Sequence, residues 1–411
     1  MTGLTQEFVP LPKDAASVVR NRLGLAAGDA LRVAYVAGPG DAVGTFGHWA
    51  RGEQDPRVPV VTYSSMFYEL IAKLGAEALV LTEPAGLPAV PDTRFEFVVA
   101  PRLRPMGFFA WHLANFRFSR LVLQQIARHR PHVVVVGTDA PIWVFRGLSR
   151  RVKVVLTAHN TFWPMGRRSG SVKARVKEFI IRRSLARVAS GVCTSQECAR
   201  QVAALLGGAE RLFVEIPQVA PAYQVAEHQG EGLRKLLFLG RIEENKGVFD
   251  LLTAFEAVAA EFGALHLDFA GSGAAEAELR QRIAVSAVQN RVRFLGQLSA
   301  EGVHAALEQA DVLVCPTRSS FNEGLALVVV EAAVHGVPSI LSSVVPAKDL
   351  MAGACVEFPA DDVAGLTNAL RRVVAEPEVY AALRRAVASK GPLFRGGAQS
   401  WGVQLYRAMI S

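Results

Sequence analysis

Residues 311–343, DVLVCPTRSSFNEGLALVVVEAAVHGVPSILSS, decide the fold. The segment begins with a short apolar run, continues through a polar loop and a helical stretch, and ends with a second apolar run. Short apolar runs bounded by turn residues are typical of buried strands. The segment therefore predicts a strand–helix–strand unit of an α/β protein, in which ligands bind beyond the carboxyl ends of the strands.

Two arrays of such units follow one another along the chain. Five apolar runs precede residue 225 and five follow the polar link 226–234. The runs are LRVAYVAG (31–38), ALVLT (78–82), HVVVVG (132–137), VKVVLTAHN (152–160), GVCTS (191–195), KLLFLG (235–240), LHLDFAG (265–271), VRFLG (292–296), DVLVCP (311–316) and PSILSS (338–343). Their hydrophobicity is continuous rather than alternating, which is typical of parallel strands covered on both faces.

At 411 residues the chain exceeds one ordinary core, so two domains of about 200 residues are expected. We predict an α/β fold of two doubly wound, Rossmann-like domains that face each other across a cleft. Their predicted bounds are 1–225 and 226–390, and residues 391–411 form a C-terminal helix that can return to the first domain. Residues 111–130 are predicted as one of the helices that lie between the strands.

Positive charge is concentrated in the first domain. Residues 1–225 carry 28 Lys and Arg against 16 Asp and Glu, whereas residues 226–411 carry 17 against 21. Such an excess indicates an anionic partner, namely a membrane surface, a phosphorylated acceptor or nucleic acid, and simple solubility is the alternative. The four cysteines include no C-x-x-C pair, so ordinary buried thiols and a cytoplasmic location are expected.

The opening segment carries the first candidate site. A helix is predicted to begin near Gly324, where the free N–H groups of Gly324, Leu325 and Ala326 can bind a phosphate. Glu323 stands at the mouth of this site, where its carboxylate can accept hydrogen bonds from sugar hydroxyls. Glu331 lies about 12 Å further along a helix that rises ~1.5 Å per residue, which suits a sugar at one end of a nucleotide and the ribose at the other. A cap residue and a buried helix glutamate are the structural alternative, but an unpaired carboxylate within VVVEAAV would be costly.

Two cations follow the first strand of the second domain. Arg241 and Lys246, in LFLGRIEENKG, can neutralise a diphosphate and stabilise charge on a departing phosphate. The next glycine turn, GSG, places Gly271 and Gly273 where they can face the nucleotide, although turn formation alone also explains them. The turn lacks the third glycine of a dinucleotide fingerprint, so a hydride-transfer enzyme is disfavoured.

A histidine in the first domain stands just past a strand end, in the sequence TAHNTFWP. His159 is expected where the sheet opens onto the cleft. Asn160, Phe162 and Trp163 can form a sugar-binding edge beside it, because sugars pack on aromatic faces and bond to polar groups. A structural role for this lone histidine is the alternative.

The basic stretch 164–188 predicts a helix from about Ser171 onward. This helix can lie against an anionic bilayer or a lipid-diphosphate acceptor. The alternative is a helix packed on the sheet with a solvated basic face. Its apolar residues are Val172, Val176, Phe179, Ile180 and Leu185.

Together these residues resemble the retaining GT-B glycosyltransferases of family 4. The resemblance is clear over about 235–375 and fainter through the N-terminal half. The family's paired glutamates match Glu323 and Glu331, and its Arg and Lys after the first strand of the C-terminal domain match Arg241 and Lys246. The sequences GSG, VRFLG and GVP follow in the family's order and spacing.

The resemblance implies that Arg241 and Lys246 hold the donor diphosphate, whereas Glu323 binds the transferred sugar and Glu331 the ribose. It also implies that these enzymes retain the anomeric configuration, need no metal ion, and let the leaving phosphate assist attack on the same sugar face. No cofactor is expected beyond the donor substrate itself, a UDP- or GDP-type sugar.

The resemblance further implies that the nucleotide base lies near Arg293 and Phe294, largely through backbone contacts, and that His159 lies near the donor sugar and phosphate. Ala326 stands where the family often has Gly or Pro. The family's glycine-rich first loop is present only as GPGDAVGTFG, within the long polar loop 38–63.

The leading hypothesis is a retaining, metal-independent glycosyltransferase of the hexosyl type, acting in cell-surface polysaccharide or glycolipid synthesis. Its acceptor would be a saccharide or a lipid-linked saccharide, and the protein would lie in the cytoplasm or on the inner face of the plasma membrane through residues 164–188. The alternative is a non-catalytic sugar-nucleotide-binding scaffold protein on the same fold. Nucleic-acid binding is disfavoured, because the arginines form no obvious recognition module.

Overall fold

The computed structural model describes residues 7–26, 28–83, 92–220 and 233–411. Within these residues the chain forms two parallel sheets with helices on both faces. The predicted boundary at residue 225 lies outside the described residues, as does most of the polar link 226–234.

Seven described strands form the first sheet, and all of them pair in parallel. They are β1 (Arg32–Val36), β2 (Glu77–Thr82), β3 (Phe95–Val99), β4 (Val133–Gly137), β5 (Lys153–Ala158), β6 (Val188–Cys193) and β7 (Leu212–Val214). Their order is β3-β2-β1-β4-β5-β6-β7, so the winding direction reverses between β1 and β4. The five residues of β4 are all buried, as expected for a strand covered on both faces.

Apart from α1, which precedes β1, the described helices of this half lie between successive strands. They are α1 (Ala15–Arg22), α2 (Ala42–Ala50), α3 (Tyr63–Leu74), α4 (Phe108–His129), α5 (Ile142–Gly147), α6 (Val172–Leu185) and α7 (Gln196–Leu206). Side-chain oxygens cap several of them: Thr62 accepts from the Ser65 N–H at the start of α3, and Ser171 accepts from the Ala174 N–H at the start of α6.

Six described strands form the second sheet, again all parallel. They are β8 (Lys235–Leu239), β9 (His266–Ala270), β10 (Val292–Gly296), β11 (Val312–Cys315), β12 (Ser339–Ser342) and β13 (Cys355–Phe358). Their order is β10-β9-β8-β11-β12-β13, and the reversal lies between β8 and β11.

The helices of the second half are α8 (Val248–Glu261), α9 (Glu276–Ala284), α10 (Ala300–Gln309), α11 (Leu327–Val334), α12 (Val363–Ala375), α13 (Pro377–Ala388) and α14 (Trp401–Ile410). The last of them, α14, lies on the first sheet and packs against α3, β6 and β7. The Ser190 hydroxyl donates to the Ala408 carbonyl at 2.6 Å, and the Lys153 ammonium donates to the Met409 carbonyl at 3.0 Å. The chain therefore crosses back to the N-terminal half before it ends.

The predicted fold class is confirmed: two doubly wound parallel sheets form the two halves. Each of the ten apolar runs contains a strand. The sequence pattern missed three strands, β3, β7 and β13, all at sheet edges. Edge strands are only partly covered, and accordingly each of these contains residues that are not fully buried.

Candidate active site

Lys246 and Glu323 form a largely buried ion pair in the second half. Lys246 follows β8 and Glu323 follows β11, and these strands are neighbours. The Lys246 Nζ lies 2.5 Å from the Glu323 Oε2, with only 15% and 9% of the two side chains exposed. The Thr317 hydroxyl donates to the same oxygen at 3.3 Å. The pair thus lies at the carboxyl ends of the strands where the winding reverses, the place where such sheets bind ligands.

An aromatic ring that the sequence analysis missed brings the two predicted cations together. The Phe321 ring centroid lies 4.0 Å from the Lys246 Nζ and 5.3 Å from the Arg241 Cζ, within the range of cation–π attraction. Arg241 is otherwise exposed and pairs with Glu243 at 2.7 Å. Lys246 is therefore fixed, whereas Arg241 can exchange a surface carboxylate for an incoming anion. Phe321 could have been found in the sequence as the single aromatic residue of the polar loop PTRSSFNEG.

The loops that carry the ion pair are held together by further contacts. Arg318 donates to both carboxylate oxygens of Asp250, each at 2.8 Å, and to Glu244 at 2.7 Å. Gly247 has φ 75°, and a Cβ there would lie 2.0 Å from the Pro316 carbonyl oxygen. Because only glycine fits this approach, the relative position of the two loops is set by the fold.

The helix that carries Glu331 begins later than the sequence predicts. α11 begins at Leu327 rather than near Gly324, so Glu323 lies in the preceding loop and the estimate of about 12 Å along one helix is wrong. Ala326 stands before the helix with φ 72° and ψ 75°, a left-handed conformation that ends the loop. Burial raises the pKa of Glu331 to about 7. Its predicted contact with a ribose stays a prediction.

The glycine turn after β9 has a structural explanation. A Cβ at Gly271 would lie 1.8 Å from the Gly240 carbonyl oxygen, and a Cβ at Gly273 would lie 2.3 Å from that of Ile242. The loops after β8 and β9 therefore pack too closely for a side chain at either position. Contact of these glycines with a nucleotide stays a prediction.

The predicted base-binding residues on β10 already have partners. The Arg293 guanidinium bonds to the two carboxylate oxygens of Asp268 at 2.8 and 2.6 Å. The Phe294 ring stacks on Phe269 with centroids 5.6 Å apart, and the Arg280 Cζ lies 4.1 Å from its centroid. With both side chains engaged, a base at this strand would rely on backbone contacts, and the nucleotide contact stays a prediction.

The two halves approach each other closely between β5 and the loop before α11. A Cβ at Gly324 would lie 2.3 Å from the His159 carbonyl oxygen and 3.4 Å from the Asn160 Oδ1. Leu325 beside it is buried, and its carbonyl accepts a hydrogen bond from the Ala347 N–H at 3.0 Å. Gly324 therefore allows close contact between the halves, and the phosphate contact predicted for its N–H stays a prediction.

A cavity of about 540 Å³ lies in the first half, beyond the carboxyl ends of β1, β4 and β5. It occupies the reversal point of the first sheet, as the ion pair does in the second. Arg57 bonds to Asp41 at 2.5 Å and to Asp55 at 2.6 Å in its wall, and Asp139 lines it from the loop that follows β4. Residues 38–63, predicted as one long loop, contribute much of the lining and include α2.

His159 forms part of the cavity wall. Its ring stacks on Tyr63 with centroids 4.4 Å apart, and its Nε2 lies 2.6 Å from the Thr157 hydroxyl oxygen. Burial lowers the pKa of His159 to about 4, so the ring is neutral at pH 7. The Tyr63 hydroxyl in turn donates to Glu215 at 2.6 Å, and burial raises the pKa of Glu215 to about 7. His159 can therefore offer a hydrogen bond but no positive charge.

The residues of the predicted sugar-binding edge beside His159 do not all face the cavity, and their contact with a sugar stays a prediction. Asn160 lines the cavity. Phe162 and Trp163 instead pack against the hydrophobic core of the first half, and their backbone N–H groups donate to the Gln201 Oε1 at 2.7 and 3.1 Å. Their aromatic faces thus serve the fold.

Three further properties concern the described part of the chain as a whole. It contains no group of three or more His, Cys, Asp or Glu side chains that could hold a metal ion. None of its helices has the length and apolar character needed to cross a membrane. All four cysteines have free thiols, and three of them are buried.

Two family descriptions match the chain. "Glycosyltransferase Family 4" matches residues 60–217, and "Glycosyl transferases group 1" matches residues 234–376. The first range contains His159, and the second contains Lys246 and Glu323.

Curated relatives match over part of their length. The glycogen synthase of Mycobacterium tuberculosis is 33% identical over 161 residues, which cover 39% of this chain and 38% of the synthase. The phosphatidyl-myo-inositol mannosyltransferase of Mycobacterium leprae is 32% identical over 160 residues, 38% of this chain and 41% of the relative. The matched region thus spans less than half of either relative.

Solved structures match over nearly the whole chain. The sucrose-phosphate synthase of Thermosynechococcus elongatus superposes with a TM-score of 0.64 at 17% identity, covering 91% of this chain and 96% of the synthase. Anabaena HepE in complex with UDP gives 0.61 at 14% identity, covering 89% and 96%. At these identities the likeness concerns the fold, and it confirms the predicted GT-B architecture.

Proposed function

We propose that this chain, which belongs to the group 1 and family 4 glycosyltransferases, transfers a hexosyl unit from a nucleoside-diphosphate sugar to a saccharide acceptor. The observation that carries the proposal is the buried pair of Lys246 and Glu323 at the reversal point of the second sheet, with Arg241 beside it. A cation at this place can meet the diphosphate while the carboxylate meets the sugar hydroxyls.

Charge stabilisation explains how these residues would promote transfer. Cleavage of the sugar–phosphate bond leaves negative charge on the departing diphosphate, which Lys246 and Arg241 would stabilise. The Glu323 carboxylate, now bonded to Lys246, would share this cation with the phosphate and accept hydrogen bonds from the sugar. The ion pair is already desolvated, so little reorganisation is needed when the donor binds.

We infer retention of the anomeric configuration from the match to the family 4 and group 1 descriptions. The proposed reaction proceeds by attack on the same sugar face, assisted by the leaving phosphate. The proposed reaction needs no metal ion, so EDTA should leave its rate unchanged.

The proposed donor carries UDP or GDP. Anabaena HepE is described in complex with UDP-glucose, and a relative from Xanthomonas oryzae, 31% identical over 149 residues, is named a GDP-mannose:cellobiosyl-diphosphopolyprenol alpha-mannosyltransferase. The Xanthomonas and mycobacterial relatives carry lipid-linked acceptors in their names, which supports a role in cell-surface polysaccharide or glycolipid synthesis. Free thiols support a cytoplasmic location.

A binding screen followed by a turnover assay tests the proposal. UDP, GDP and ADP sugars are compared for their effect on the melting temperature, and release of the nucleotide is then measured with the best donor. Lys246→Ala and Glu323→Gln should each lower turnover by about 10²–10³-fold, the usual effect of losing one preorganised charge-stabilising group.

Lys235→Ala is the matched control, because Lys235 begins β8, the strand that precedes the Lys246 loop, and its side chain is also largely covered. It should turn over donor at the wild-type rate. Binding of the donor without any turnover would instead support a non-catalytic sugar-nucleotide-binding scaffold. Unchanged turnover in both site variants would refute the assignment of Lys246 and Glu323.

A further inference from the structure

Exposed apolar side chains are concentrated on one surface of the first half. Met106 is 97% exposed, Phe109 85% and Phe108 72%, at and just before the start of α4. The other exposed large apolar residues of this region are Leu103, Trp111, Leu113, Phe116, Trp143, Val172, Val176, Phe179 and Ile180. Elsewhere among the described residues only Val285, Leu327 and Leu393 are comparable. An exposed apolar patch of this extent marks a surface that binds something.

The three helices that carry most of these side chains are neighbours. α4 packs against α5, and α5 packs against α6. The Phe116 ring on α4 and the Trp143 ring on α5 are 6.2 Å apart between centroids. We call residues 103–116, Trp143 and residues 172–180 together the aromatic–basic surface.

The start of α4 projects beyond the sheet that its remainder covers. None of residues 108–114 is buried, and burial begins at Asn115 and continues through Phe118, Val122 and Ile126. Seven residues extend a helix by about 10 Å at ~1.5 Å per residue. The first two turns of α4 are therefore apolar helix of which none of the residues is buried.

The charge around this surface identifies its partner. Residues 101–190 carry 18 Lys and Arg but only two acidic residues, Asp139 and Glu178. Glu178 is neutralised by Arg168, and Asp139 lines the cavity. A second copy of the chain would bring the same positive charge to its own surface and be repelled. Exposed Phe, Trp and Leu surrounded by Lys and Arg are the composition that binds the interface of an anionic bilayer.

The aromatic–basic surface adjoins the mouth of the cavity. Arg102, next to its first residue, donates to the Asp139 carbonyl at 2.9 Å and to the Asn115 Oδ1 at 3.2 Å. Arg102 thus connects the segment before α4 to the cavity wall and to α4 itself. A bilayer that received Phe108 and Phe109 would lie beside the opening of the cavity.

We propose that the aromatic–basic surface docks on an anionic lipid bilayer, with Phe108 and Phe109 entering the interface and the basic side chains meeting lipid phosphates. One consequence of docking rests on the proposed function: the cavity receives the polar head of a lipid-anchored acceptor. Docking itself needs no donor and is measured without one.

Vesicle binding of the full chain tests the proposal. Sedimentation with phosphatidylcholine vesicles that contain phosphatidylglycerol should capture the chain, whereas pure phosphatidylcholine should not, and raising the salt from about 0.1 M to about 0.5 M should release it. Brominated phosphatidylcholine in the same vesicles should quench the fluorescence of Trp111, and Trp111→Phe should reduce this quenching.

Matched variants distinguish vesicle binding through this surface from nonspecific binding elsewhere on the protein. Phe108→Ser/Phe109→Ser should lower the vesicle partition coefficient by about tenfold or more, because two exposed apolar side chains no longer enter the interface. Val285→Ser, an exposed apolar site on the other half, should leave it unchanged. Arg175→Gln/Lys177→Gln should also lower it by about tenfold. Arg372→Gln/Arg385→Gln, exposed on α12 and α13, is the charge control.

Three results would overturn the proposal: no capture of the wild-type chain, equal capture of the Phe108→Ser/Phe109→Ser variant, or self-association in light scattering that this variant abolishes. UDP binding by the same preparations is measured in solution. Retained UDP binding with absent capture overturns the docking surface alone, whereas capture without UDP binding or turnover supports the surface and counts against the proposed reaction.

Discussion

Gly324→Ala tests whether the contact between the two halves sets the geometry of the reaction. Gly324 is not in the left-handed region, so alanine is compatible with its backbone conformation. The added Cβ would nevertheless lie 2.3 Å from the His159 carbonyl oxygen, whereas ordinary contacts begin near 3.4 Å. A main-chain carbonyl at the end of β5 cannot rotate away as a side chain would. The halves must therefore separate by about 1 Å.

A separation of this size affects transfer more than donor binding. Lys246, Glu323 and Arg241 lie on one half and keep their mutual distances, so UDP affinity should fall much less than the rate. The cavity of the first half, which is the proposed acceptor site, lies across from them, and a misplacement of 1 Å between reacting groups costs about 10²-fold in rate. We expect kcat/KM to fall about 100-fold, or ~2.7 kcal/mol of transition-state stabilisation.

Calorimetric titration with UDP and steady-state kinetics measure the two effects on the same protein. Gly263→Ala is the control, since a Cβ there meets no atom within 4 Å and the backbone is compatible. The reasoning is refuted if Gly324→Ala keeps wild-type kcat/KM. A loss of UDP affinity as large as the loss of rate would refute it too, because it would place the damage in the donor site rather than between the halves.

Three further substitutions test the site and its surroundings. Phe321→Leu removes the ring that contacts Lys246 and Arg241 and should weaken UDP binding about tenfold in calorimetry. Ala326→Gly relieves a left-handed alanine costing about 1 kcal/mol, so calorimetric melting should shift upward by about 2–4 °C. Glu215 has its pKa raised by burial to about 7 from 4.5, so the unfolded chain loses this proton first and wild-type stability falls as pH rises from about 4.5 to 7. Denaturant titration should therefore find Glu215→Gln about 3 kcal/mol more stable than wild type at pH 8 and equal to it at pH 4.

The core strands and the meeting of Lys246 with Glu323 could be predicted because both depend on local pattern. A strand such as β4, which is buried on both faces, has an uninterrupted run of apolar residues in the sequence. Parallel strands end at one edge of the sheet, so residues that follow neighbouring strands meet there. Lys246 and Glu323 satisfied both conditions, and the structure places them in contact.

Features that depend on contacts between distant segments could not be predicted in the same way. The edge strands β3 and β13 are only partly covered, which removes the pattern. The left-handed Ala326 that delays α11 has no sequence signature, since only its backbone conformation distinguishes it from a helical alanine. The contact of Phe321 with Lys246 and Arg241 could not be predicted, because these cations lie on a loop some 75 residues earlier in the sequence.

α4 shows why the aromatic–basic surface escaped the sequence analysis. Helical periodicity assigns residues to faces around the axis, and it predicted a helix at 111–130 that lies between strands. It gives no information on where along the axis the sheet ends. Residues 108–114 and the segment from Asn115 onward are both rich in apolar side chains, yet only the second segment is covered. Apolar residues on an exposed segment gain little from the protein's own core, so their position beside 18 cations supports docking on an apolar phase with negative charge. A vesicle experiment must therefore test where residues 108–114 lie in the fold, and not only which residues they are.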